Sequence, residues 1–190
     1  MGLSPNVKAL VVVVIFAVGL GFLWLKYSDF LHQGSKPPES AVILNKIEVE
    51  GFPEFVVQDH FTGEDLSLKS FAGKIVILNF WASWCDPCIA EFPSLLKLID
   101  KYEGQVILFA ISADYEKQDI DNFLKVFKLA NKNVRIAWDK DLNIAKMFGT
   151  YKLPESYIIG RDGKLIRKVS GVDDWSTAQA FEYFAHLLAK

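Results

Sequence analysis

The chain is 190 residues long, 51% hydrophobic and 23% charged, a size and composition that suit one globular domain plus an appendage. A formal net charge of -2 supplies no basic field and argues against nucleic acid as a partner. Two cysteines are too few for a secreted scaffold built on disulfides.

The first feature along the chain is ALVVVVIFAVGLGFLWL, Ala9 to Leu25, which carries no charge. As a helix it spans about 25 Å, near the short end for a ~30 Å hydrocarbon layer. Trp24 and Tyr27 fall where an interfacial aromatic belt would sit. A cleaved signal peptide is the alternative, but no A-x-A-type site closes the run and no cysteine follows it for lipid attachment. Residues 1–27 are therefore read as a single transmembrane anchor. The α-amine and Lys8 precede the run, and Lys26 after it is offset by Asp29, which keeps the N-terminus cytoplasmic and the remainder extracytoplasmic. Residues 28–42, with Gly34, Ser35 and the Pro37-Pro38 pair, predict a flexible tether on the order of 20 Å. Residues 43–190 form one domain.

Within it, FPEFVVQD and EDLSL predict short strands, and KIVILNFW (Lys74 to Trp81) predicts a strand covered on both faces. A helix is expected from about Asp86 to Tyr102, followed by the strand QVILFAIS. EKQDIDNFLKVFKLA has helical spacing, with Ile120, Phe123, Leu124 and Phe127 on one face. VRIAWD predicts a strand, and DLNIAKMFG a short helix stopped by Gly149. SYIIGRDGKLIRKVSG predicts a hairpin turning at Asp162-Gly163, and WSTAQAFEYFAHLLAK a closing amphipathic helix. This alternation implies an α/β fold with a mixed central sheet and helices on both faces.

Both cysteines lie in NFWASWCDPCIAEFPSL, as Cys85-x-x-Cys88. A disulfide closing so short a loop contributes roughly 2 kcal/mol, against ~4.7 for a 100-residue loop, so stapling is a poor use of this spacing. A structural zinc site needs four ligands, and His32, His60 and His186 show no ligand spacing to the pair. A redox pair has a mechanism. Cys85 falls where a buried strand gives way to a helix, and Pro87 is tolerated in that helix's first turn. Unpaired first-turn N–H groups and the positive helix end stabilise a thiolate, so Cys85 is the attacking thiol. Cys88, one turn on, is placed to resolve a mixed disulfide.

NFWASWCDPC resembles the active-site stretch of thioredoxin-like proteins, with Pro93 at the family's helix-kinking proline. YKLPESYII is similar to the segment carrying the family's cis-proline, which maps onto Pro154. GFPEFVVQDHFTGEDLSLKSFAGKIVILNFWASWC resembles the lead-in of the membrane-anchored TlpA/ResA-type branch, which includes the cytochrome c maturation reductases. The resemblance runs from about Gly51 to Gly171 and implies a thioredoxin-like fold. It also implies a single-pass protein whose domain reduces selected disulfides outside the cytoplasm.

Glu91 lies three residues beyond Cys88, on one helical stripe with both cysteines. It is either a solvated helix glutamate or an acceptor for the proton of the resolving thiol. The resemblance favours the second, since that branch carries an acidic residue at this spacing. Ordinary thioredoxins place a buried aspartate on the preceding strand, where this chain has Asn79. For Pro154 the resemblance implies a cis bond, with the Leu153 backbone pairing to an extended substrate chain. Leu-Pro-Glu-Ser here replaces the commoner small or β-branched residue before proline and threonine two positions on. Trp84 is read as an exposed platform or as core packing, and Glu155 as a contributor to substrate choice or a solvated turn residue.

An acidic Asp86 beside Cys85 opposes a thiolate, which favours the disulfide and makes the dithiol a reductant. The expected activity is a protein disulfide reductase acting on an extracytoplasmic cysteine pair. The family suggests apocytochrome c or a copper-site protein as substrate and a membrane thiol carrier as electron donor. No metal and no prosthetic group are indicated. Two alternatives remain. A Cu(I)-delivery protein would use the thiols as soft ligands, but relatives of that kind have a wider cysteine spacing and a downstream histidine. A peroxiredoxin-type peroxidase would have Pro and Thr or Ser ahead of a lone cysteine, whereas Ser83-Trp84 precede Cys85 here.

Overall fold

The computed structural model describes residues 4–33, 37–127 and 131–189. The chain divides into two units, Met1–Pro38 and Glu39–Lys190. The first holds helix α1, Pro5–Gln33, of which Pro5–Phe30 is long and apolar enough to cross a membrane.

Helices extend into the expected tether over 28–42 from both ends. Residues 28–33 continue α1 beyond the apolar run, in a stretch that carries no proline or glycine to break it. Residues 39–42 open helix α2, Glu39–Glu50. Pro38 immediately precedes this helix, with Glu39 in its first turn, and Gly51 at φ 93° closes it. The tether residues 34–36 lie outside the described residues, as do residues 128–130 of the predicted helical stretch.

In the second unit the lead-in strands are only two residues each, β1 Val57–Gln58 and β2 Asp65–Leu66, and a single 3-10 turn, Leu68–Phe71, follows them. The remaining elements are β3 Ile75–Trp81, α3 Asp86–Lys101, β4 Val106–Ser112, α4 Lys117–Phe127, β5 Val134–Trp138, α5 Asn143–Met147, β6 Glu155–Ile159, β7 Leu165–Ser170 and α6 Ala178–Leu188. The sheet order is β5-β4-β3-β6-β7. β3, β4 and β5 run parallel, joined through α3 and α4, while β6 and β7 are antiparallel, so the sheet is mixed. Gly163 at φ 76° supplies the left-handed residue of the β6–β7 turn, where a side chain would be strained.

β3 is central and buried along its whole length, which explains a sequence that is apolar at every position but Asn79. Its alternate residues serve two cores. Ile75, Ile77 and Trp81 pack with α3, α4 and α6 through Phe92, Leu95, Phe123 and Phe184. Val76, Leu78 and Phe80 pack on the other face with Ile47 of α2, Ile144 of α5, and Phe148. Helices therefore cover both faces, and the C-terminal end of β3 delivers the chain directly into α3.

Candidate active site

Cys85 is the N-cap of α3, with extended φ and ψ of -93° and 95°, and Pro87 sits in the first turn. Its sulfur accepts a hydrogen bond from the Cys88 backbone N–H at 3.3 Å, taking up one of the helix's unpaired donors. Cys85 and Cys88 form a disulfide, with Cα atoms 5.2 Å apart. Cys85 keeps 6% of its surface and Cys88 3%, so the N-cap sulfur belongs to the more exposed residue of a largely covered pair. Among the described residues, no group of three or more His, Cys, Asp and Glu side chains is placed to hold a metal ion.

Glu91 follows one turn after Cys88 on α3 and is buried, with 2% of its surface exposed. The solvated alternative therefore fails. Its Oε1 accepts from the indole Nε1–H of Trp175 at 2.5 Å and from the Asp173 backbone N–H at 3.3 Å. Its Oε2 is buried and has no hydrogen-bond partner among the described residues. Burial raises the Glu91 pKa above the ordinary carboxylate range, and the charge of Asp173 adds to this. The Trp175 and Asp173 hydrogen bonds pull the other way without prevailing. Asn79, on the neighbouring strand, is also buried and donates to Ser156 Oγ at 2.9 Å.

The Leu153–Pro154 peptide is cis and immediately precedes β6. The Pro154 carbonyl accepts from Gly171 N–H at 2.9 Å, and two residues further on Asp173 N–H reaches Glu91. The segment after β7 thus connects the proline loop to the helix that carries the cysteines. Leu153 is partly buried and packs against both cores.

Glu155 requires a correction, both as a substrate-choice residue and as a solvated turn residue. It belongs to β6 and is 6% exposed. It alternates in phase with Tyr157 and Ile159, which pack on the face away from α3. There Oε2 pairs with Lys168 Nζ at 3.0 Å, and Oε1 accepts from Ser170 Oγ at 2.6 Å. Tyr157 OH donates to the Phe148 carbonyl at 2.6 Å and lies 3.3 Å from Glu155 Oε2. The register places Glu155 opposite Ser170, which turns the carboxylate into the sheet's own polar network.

Trp84 is 52% exposed, so it is not a core residue. It stacks on Tyr115, also exposed, with ring centroids 5.9 Å apart and planes at 18°. Asp114 makes this contact possible. Its buried carboxylate accepts from Ser83 N–H at 2.9 Å, Ser83 Oγ at 2.7 Å and Ser112 Oγ at 2.6 Å. These bonds tie the loop after β4 to the turn before Cys85. The sequence reading missed Tyr115, Asp114 and Trp175. An Asp-Tyr pair just past a buried strand was a signal for the first two, whereas Trp175 lies 84 residues from its partner with no local signature.

The AhpC/TSA family matches residues 50–168 of the chain. The thiol-disulfide oxidoreductase ResA of Bacillus cereus is 35% identical over 162 residues, covering 85% of this chain and 85% of its own. ResA of Halalkalibacterium halodurans is 29% identical over 178 residues, covering 93% and 91%. A crystal structure from Chlorobium tepidum, assigned as the thiol:disulfide interchange protein DsbE, superposes with a TM-score of 0.63 at 26% identity, over 72% of this chain and 94% of that one. StoA from Bacillus subtilis superposes at 0.56 and 24% identity over 71% and 96%, a likeness of fold alone. The chain belongs to the AhpC/TSA family and, within it, to the ResA-type thiol-disulfide oxidoreductases. The fold is thioredoxin-like, and the Cys85–Cys88 disulfide fits the redox centre of such an oxidoreductase.

Proposed function

We propose that this protein is a membrane-anchored disulfide reductase whose catalytic domain lies outside the cytoplasm. Its substrates are the cysteine pairs of apocytochrome c or of a copper-site protein. The observation that carries the reading is the position of Cys85 at the head of α3, with its sulfur accepting a helix N–H and Cys88 one turn behind. In the dithiol state the Cys85 thiolate attacks one sulfur of a substrate disulfide, and the other sulfur leaves as a thiolate that takes a proton from water. Cys88 then passes its proton to Glu91, and its thiolate attacks Cys85 Sγ. The protein disulfide forms, the second substrate sulfur departs as a thiolate that takes a proton from water, and Glu91 gives up the proton it took from Cys88 to solvent. Two electrons move to the substrate, and a membrane dithiol carrier returns two to this protein.

Leu153 and the cis Pro154 present backbone for the substrate's extended chain, and Trp84 with Tyr115 forms an aromatic platform beside Cys85. Asp86 disfavours a stable Cys85 thiolate, which supports the reducing direction. The charge bias of Lys8 against Lys26 and Asp29 supports a cytoplasmic N-terminus. A peroxidase would use a lone attacking cysteine, and the closed pair favours exchange instead.

The test is Cys88→Ser in the full-length chain. It should strand Cys85 in mixed disulfides with extracytoplasmic proteins that carry cysteine pairs, identified by mass spectrometry. A catch dominated by cytosolic proteins would overturn the orientation. A potential near ~-120 mV, that of a strong oxidant, would overturn the reducing direction.

A further inference from the structure

We propose that Trp175 is a positioning residue for the proton transfer that releases substrate, holding Glu91 so that Oε2 alone exchanges the proton with Cys88. The inference rests on the reading of Glu91 as the proton acceptor of Cys88.

The segment between β7 and α6 lies across α3 as a strap. Trp175 N–H donates to Ser94 Oγ at 3.1 Å, and Ser94 Oγ in turn donates to the Glu91 carbonyl at 2.8 Å. The Trp175 indole and the Asp173 N–H both donate to Glu91 Oε1. Trp175 is itself fixed, being 3% exposed and packed against Phe184 of α6 with ring centroids 6.2 Å apart. Both donors converge on one oxygen and none reaches the other, which is buried and unpartnered.

This asymmetry has a chemical consequence. An oxygen that accepts two N–H donors is already engaged, so the protonated acid carries its hydrogen on Oε2. The unpartnered atom costs free energy at rest unless it is protonated or receives a donor, and a thiol one turn away is such a donor. The strap thus fixes the carboxylate plane and decides which oxygen works. It also offsets part of the upward pull that burial exerts on the Glu91 pKa, without reversing it. The ionisable groups set near Glu91 include Asp173 on the strap and, once the disulfide is reduced, the thiols of Cys85 and Cys88 at the head of its own helix. Asp174 is engaged by Ser176, with Lys97 nearby.

Trp175→Phe keeps the ring and removes the donor. Full-length protein in detergent micelles should be compared across pH 5 to 9 with Glu91→Gln and with the double variant. The Cys85 attack step is read separately, from reaction of a Cys88→Ser background with an aromatic disulfide. Trp175→Phe should slow resolution tenfold or more at neutral pH, the effect expected for a lost hydrogen bond to a charged group. The rise of rate with pH should move to higher pH, because a donor that stabilises the carboxylate is gone. The attack step should change by less than about twofold, and Trp175→Phe should add nothing in the Glu91→Gln background.

If Glu91→Gln alters resolution and Trp175→Phe leaves both rate and pH midpoint unchanged, the strap inference fails while the Glu91 reading stands. If Glu91→Gln alters neither, that reading fails and the inference with it. Equal slowing of both steps by Trp175→Phe would mark a structural role and overturn the proposal. A second measurement needs no substitution at Trp175. Its 15N-indole resonance, assigned by its loss in the variant or by through-space contacts to Phe184, should titrate with the midpoint of the resolution profile. A signal flat from pH 5 to 9 would overturn the inference even if the variant does not fold.

Discussion

Glu91 and Glu155 are both buried glutamates on the two sides of one sheet, and their surroundings are opposite. Glu155 has a cation at 3.0 Å and the Tyr157 hydroxyl at 3.3 Å on Oε2, and the Ser170 hydroxyl at 2.6 Å on Oε1, so both oxygens are partnered. Glu91 has two N–H donors on one oxygen and none on the other. A carboxylate taken from water costs several kcal/mol unless it is paired and hydrogen-bonded. Around Glu155 the fold supplies those partners from β7 and Tyr157, and the result is a fixed joint between strands. Around Glu91 it supplies half of them, and the result is a group able to take up and release a proton. Burial alone distinguishes nothing; the count of partners on each oxygen does.

The largest effect that can break this comparison is on catalysis. Glu91→Gln should slow release of substrate from Cys85 by about 100-fold, the lower range for loss of a general acid or base, measured by single-turnover quench. The same variant sharpens the comparison through stability. Because burial raises the Glu91 pKa in the fold, the folded state favours its protonated form. That contribution is complete below the ordinary carboxylate range and is lost as pH rises through the raised value. Glutamine has no such dependence, so thermal melts of the disulfide form should show Glu91→Gln gaining on the parent between pH 4 and pH 8. A variant that loses ground to the parent as pH rises would contradict the assignment.

Next in size is the matching change on the other side. Glu155→Gln, or Lys168→Met alone, should cost about 3 kcal/mol by denaturant unfolding, because each strands one member of a buried pair. Glu155→Leu with Lys168→Met should recover to within about 1 kcal/mol of the parent. None of these should move the pH profile of resolution. A shifted profile with stability retained would show that Glu155 shares the chemistry, and the contrast would dissolve.

The sequence made one of these glutamates readable and hid the other. Cys85, Cys88 and Glu91 repeat every three residues after a strand that is apolar but for Asn79, so helical geometry alone aligned them. The strand-helix alternation and the Asp162-Gly163 turn were readable for the same reason, since short-range periodicity and turn chemistry specify them. Glu155 follows Pro154 in a stretch that reads as a turn, and its burial depends on Lys168 and Ser170 across a hairpin. Trp175 is further still from its partner. Helix α2 is a different kind of miss. Pro38 before it and Gly51 after it are ordinary boundary signals, and Gly34, Ser35 and the two prolines obscured them. Local rules recovered the elements and the cysteine stripe, whereas pairing between distant strands and loops decided which buried charges are satisfied.

The smallest expected effect concerns neither glutamate. Trp84 and Tyr115 stack in the open, at 52% and 72% exposure, held by a loop that Asp114 secures from below. Tyr115→Ala removes surface area that no core residue depends on, so stability should stay within about 0.5 kcal/mol. An aromatic contact contributes about 1 kcal/mol, so KM for a protein disulfide should rise roughly fivefold at unchanged kcat if a substrate chain lies on the pair. A small disulfide such as oxidised glutathione is too short to reach across the platform, and its reduction should be indifferent to the change. Loss of activity toward both would mean that Tyr115 supports the Cys85 turn itself. Loss toward neither would leave the stack without a part in recognition, and substrate contact would fall to the Leu153–Pro154 backbone.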